Sequence, residues 1–71
     1  MKIFVFKTNI KSEEQKEMLK PILNQIKGIN RWQVNLEDKD KELRIEGHGI
    51  KPETIRALTS TIGIKCRIIW E

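Results

Sequence analysis

Few side chains in this sequence could do chemistry, and their spacing limits what that chemistry could be. There is one cysteine, Cys66, and one histidine, His48. A single cysteine cannot close an internal disulfide, and alone it cannot build a thiolate metal site. Cys66 alternates in phase with Ile64, Ile68 and Trp70, which reads as the inward side of a strand where cysteine serves as a small hydrophobe. The competing reading is a reactive thiol. His48 lies between Gly47 and Gly49, the setting of a lone exposed loop histidine that would need another chain to help hold a metal. Neither residue has a carboxylate, second histidine or second cysteine at useful spacing, so no nucleophile–base pair is visible.

The third group is Ser12-Glu13-Glu14-Gln15. A hydroxyl followed three residues on by glutamine matches the capping box, in which the two side chains satisfy two orphan donors at a helix start. Glu13 and Glu14 suit the positive end of the same helix without any substrate. This group reads as structure.

The elements that would position these groups follow from periodicity. Ile3 to Phe6 is a short apolar run that predicts a buried central strand. Met18, Leu19, Ile22, Leu23 and Ile26 recur at helical spacing, with Lys27 and Gly28 as the stop signal. Pro21 interrupts this pattern by removing a donor and crowding the carbonyl of Glu17, at a cost of about 3 kcal/mol. The expectation is a kinked helix from about residue 12 to 27, with a start near residue 18 as the alternative. Trp32, Val34 and Leu36 alternate with Gln33 and Asn35 as a second strand. After the polar turn Glu37–Lys41, Leu43 and Ile45 alternate with Arg44 and Glu46 as a third. Pro52 suits a first helical position, Ile55, Leu58 and Ile62 form a buried stripe, and Gly63 stops this second helix. Ile64, Cys66, Ile68 and Trp70 then face inward on the last strand, opposite in phase to Lys65, Arg67, Ile69 and Glu71.

Leu23 followed by Gly28-Ile29 is echoed by Leu58 followed by Gly63-Ile64. Each half is strand, helix, strand. Right-handed crossovers place both helices on one face of a four-stranded antiparallel sheet, giving an α+β, ferredoxin-like βαββαβ sandwich. The 71 residues are enough for one domain, 1–71, and 38% hydrophobic with 34% charged is a globular balance. Fourteen basic against ten acidic residues give +4, interspersed along the chain, which solubility explains. No apolar run reaches the roughly 20 residues of a membrane span. MKIFVFK is too short for a signal-peptide core. A reducing, cytoplasmic location is expected.

With this order in place, the chain resembles the heavy-metal-associated domain of copper chaperones and metal-pumping ATPases, from Phe4 to Ile68. Gly28-Ile29 stands where that family has Gly-Val after its first helix. Val34-Asn35-Leu36 resembles its second strand, and Gly63-Ile64 its Gly-aromatic before the last strand. The resemblance implies a Met-x-Cys-x-x-Cys loop whose thiolates bind a soft ion. Counting back from Gly28 lays that motif on Ile10-Lys11-Ser12-Glu13-Glu14-Gln15. Ile10 can replace the methionine as a core plug, but Ser12 and Gln15 are not soft anionic donors. No metal ligand carries over.

The open sheet face is expected to carry Ile3 and Val5, with Phe4 and Phe6 inward. Gln33, Asn35, Arg44, Glu46, Lys65, Arg67 and Ile69 join the outward set. With no aromatic there to stack bases, nucleic-acid binding is not expected. Ile3, Val5 and Ile69, set among Arg44, Lys65 and Arg67, form the candidate face for a homodimer or a protein partner. An acylphosphatase-like enzyme of the same topology would need a glycine-rich anion loop with an arginine after the first strand. Thr8-Asn9-Ile10-Lys11 supplies neither. The expectation is a non-enzymatic module with a degenerate metal loop, no cofactor and no membrane role. The alternative is a metal carrier using Cys66, His48 or a second chain.

Overall fold

Alternation of Phe4 and Phe6 with Ile3 and Val5 makes the first strand two-faced, and the sheet grows around it. In the computed structural model, which describes residues 1–71, the elements are β1 (Lys2–Thr8), α1 (Glu13–Leu23), β2 (Ile29–Val34), β3 (Leu43–Gly47), α2 (Pro52–Ser60) and β4 (Cys66–Trp70). All pairings are antiparallel, in the order β2-β3-β1-β4, so this is the ferredoxin-like sandwich. Phe4 pairs with Ile45 and Phe6 with Leu43. Their inward side chains join Val34, Leu19, Leu23 and Ile55 in one buried core, closed by Ile10 and Ile64.

The last strand departs from simple alternation. Thr8 pairs with Cys66, Lys7 with Arg67 and Phe6 with Ile68, but Val5 pairs with Trp70. Ile69 is the extra residue of a β-bulge, and the bulge reverses the phase beyond it. Trp70, expected inside, therefore sits across from Val5 on the open face, 65% exposed. Lys65, expected on this strand, precedes it. Likewise Asn35 and Leu36 lie beyond the end of β2, where Asn35 begins the turn by accepting from the Glu37 N–H at 3.1 Å.

The two helix ends differ. After α2, the Ile64 N–H donates to Thr59 O and the Gly63 N–H to Ser60 O, both at 3.1 Å, with Gly63 at φ +79. That is a Schellman closure, and Ile64 packs back into the core. Helix α1 stops at Leu23, capped by Asn24, so neither Lys27 nor Gly28 ends it. Pro21 lies in its last turn, so the one backbone bond it deletes, to the Glu17 carbonyl, falls close to the end of the helix. Gly28, at φ +102, serves a different purpose: its carbonyl accepts from the His48 N–H at 2.8 Å and lies against Gly47. On α2, Thr59 joins Ile55 in full burial and Leu58 is half-buried, while Ile62, expected on this helix, lies half-buried beyond its end.

Candidate functional site

The segment from Thr8 to Gln15 links β1 to α1, and the side-chain oxygens of Thr8, Asn9, Ser12 and Gln15 along it all have protein partners. The Ser12 hydroxyl accepts from the Gln15 N–H at 3.2 Å. Gln15 reaches back one residue further than a standard capping box, its Oε1 accepting from the Lys11 N–H at 2.6 Å. Thr8 donates its hydroxyl to Lys41 O at 2.6 Å and accepts from the Ile10 N–H at 3.3 Å. Asn9 clamps the loop before β4: its Oδ1 accepts from the Lys65 N–H at 2.8 Å, and its Nδ2 donates to Gly63 O at 3.5 Å. Ile10 is fully buried beneath these bonds, as the plug reading requires. The loop is thus tied to both other loops at its end of the sheet. Ser12 and Gln15 offer a soft metal ion neither a thiolate nor a free anionic group.

Cys66 and His48 do not come together. Cys66 pairs with Thr8, at one end of β1, whereas His48 follows Gly47, which pairs with Lys2 at the other end. The span between those ends is roughly 20 Å at the rise of a strand, so the two cannot share an ion within one chain. Cys66 is half-buried beside α2, with its Sγ 3.4 Å from the Thr59 hydroxyl. That hydroxyl also lies 2.9 Å from its acceptor, Ile55 O. Burial pushes the Cys66 thiol above its ordinary range, although Thr59 and the Arg56 guanidinium pull the other way. A raised value means less thiolate at neutral pH, the opposite of what a nucleophile needs. The groove beside it, about 510 Å³, is shallow and lined by Glu53, Arg56, Ser60 and Lys65 among others.

Sequence reasoning did not single out the turn between β2 and β3, where Asp38, Asp40 and Glu42 bring carboxylate oxygens within 4.8 Å of one another. Alternating acids at positions 38, 40 and 42 were its only sequence signal. These are hard oxygen donors, unsuited to a soft ion, and Asp40 is engaged by Lys7 Nζ at 3.5 Å.

No known family's sequence profile matches the chain, and no curated protein matches it in sequence. Its shape does have counterparts. The yeast copper transporter domain Ccc2A, solved in apo and Cu(I)-loaded states, superimposes with TM-score 0.83 at 13% identity, covering 97% of this chain and 96% of that one. The Cu(I)-loaded first domain of CCS, the human copper chaperone for SOD1, gives 0.79 at 13% identity over 96% and 92%. The N-terminal domain of PacS from Synechocystis gives 0.81 at 11% identity over 97% and 98%. At these identities the likeness establishes the fold: this chain has the βαββαβ sandwich also found in copper-handling domains.

Proposed function

We propose that this chain is a single non-enzymatic domain of the heavy-metal-associated type whose metal loop has lost its ligands, and that it acts in the cytoplasm through protein contacts or regulation. The observation that carries this reading is the loop itself. The count back from Gly28 lays the family's two cysteine positions on Ser12 and Gln15, and the side-chain oxygens of both are engaged at the start of α1. The shared fold supports the family half of the proposal, and the chemistry of the donors supports the loss. No helix of the chain is long and apolar enough to cross a membrane.

A Cu(I) competition titration against a chromophoric chelator tests it. The wild type is expected to take up no stoichiometric Cu(I), whereas Ser12→Cys combined with Gln15→Cys is expected to gain one thiolate pair and bind the ion. Uptake of one equivalent by the wild type would overturn the proposal. If that uptake produced a dimer that Cys66→Ser abolished, the carrier reading with ligands from two chains would replace it.

A further inference from the structure

The sheet face that α1 and α2 leave uncovered carries an unusual set of side chains. Reading across the strands, Arg31, Glu46 and Ile3 form one row, Gln33, Arg44, Val5 and Trp70 the next, and Lys7 and Arg67 a third. Trp70 and the bulged Ile69, 65% and 46% exposed, stand beside half-buried Val5 and Ile3. A tryptophan can bury 150–250 Å², roughly, on docking, and exposed indoles with neighbouring arginines are the residues on which binding energy concentrates.

The charges around this strip are unbalanced. Lys7, Arg31, Arg44 and Arg67 lie on it with one carboxylate, Glu46, which both Arg31 and Arg44 share at 3.9 and 3.7 Å. Arg67 makes no ion pair, and Lys7 reaches off the sheet to Asp40.

We infer that this face docks an acidic polypeptide segment, with Trp70, Ile69 and Val5 receiving an apolar side chain and Arg67, Arg44 and Lys7 receiving the carboxylates around it. A second copy is the poorer occupant, because a two-fold contact would set the same cations against one another. Single-stranded nucleic acid fits less well too, since Ile3, Val5 and Ile69 have no π-face and Trp70 is the one aromatic available for stacking. The inference rests on the proposal that the domain works by contacts.

The test is selection of a random peptide display library on the immobilised full chain. Retained peptides should be enriched in Asp and Glu flanking an aromatic or aliphatic residue. Their affinity should fall about tenfold or more on Trp70→Ala and on Arg67→Glu, both exposed positions, and should weaken with salt. Amide shifts on titrating a selected peptide should centre on Val5, Arg67 and Trp70. Peptides without acidic enrichment, equal binding by both variants, or no retained peptides would overturn the inference. Tighter binding of oligo-dT through Trp70, or a dimer abolished by Trp70→Ala, would also overturn it. Cu(I) uptake at the loop would instead strike the underlying proposal, so the two failures are distinguishable.

Discussion

Glu42 carries a charge that its surroundings disfavour. It stands half-buried just before β3, and partial burial first, then the facing carboxylates of Asp38 and Asp40, holds it above the ordinary carboxylate range. A carboxyl whose folded value is raised binds its proton more tightly in the native state than in the unfolded chain. Its ionisation therefore lowers stability at neutral pH, and the penalty fades as pH falls through the folded value. Glu42→Gln is accordingly expected to raise the thermal midpoint at pH 7, with the gain vanishing near pH 4, about where an ordinary carboxylate titrates. Thermal melts of both proteins by circular dichroism at the two pH values would check this, and an unchanged midpoint at pH 7 would refute it. The burial of Cys66 has its consequence at the other end of the scale. Below the ordinary thiol range both states keep the proton, and above it the unfolded chain loses its proton first, so stability declines in alkali.

Elements meet most tightly where β3 leaves the sheet. A methyl group on Gly47 would overlap the carbonyl of Gly28, a backbone atom that cannot swing aside. Gly47→Ala is expected to cost about 3 kcal/mol, by overpacking against a fixed neighbour. Gly63→Ala, which meets no neighbour but keeps φ +79, should cost about 1–2 kcal/mol. Urea denaturation would rank them, and the reverse order would mean that β2 and β3 can part at this end. The same contact shows which parts of the fold were legible. Strand alternation, the Ser12 cap and the glycine stop of α2 depend on residues close in sequence, and each was readable there, whereas the Ile10 plug came from the family resemblance. Gly28 was misread as a helix stop because its real partners, Gly47 and His48, lie on another strand. Trp70 was misread because a bulge is a property of the pairing between β1 and β4, and the periodicity of β4 alone does not contain it. Asn9 went unnoticed for a similar reason: its partners lie 54 and 56 residues along the chain. Of the candidate site, the Ser12 and Gln15 cap could be read directly, but not the clamp that ties the loop down.

For the molecule as a whole, the open question of self-association reduces to the sheet face and the two sheet edges. The edges, β2 and β4, are six and five residues long, and each pairs inward through an irregular register. Short, bulged edges resist strand-to-strand pairing because the twist carries their free backbone groups out of line. The face presents more cations than carboxylates, and the chain carries +4 overall, so two copies approaching by this surface repel before the apolar strip can close. The domain is therefore expected to remain a monomer of 8.4 kDa in static light scattering up to millimolar concentration at low salt. Raising the salt screens the cations and leaves Ile3, Val5, Ile69 and Trp70 unopposed, so any association should appear there first and should be removed by Val5→Lys. A dimer at low salt that Val5→Lys dissolves would show that the strip outweighs the repulsion. A dimer that survives Val5→Lys would place the contact on an edge, and the protection assigned to the bulges would be wrong.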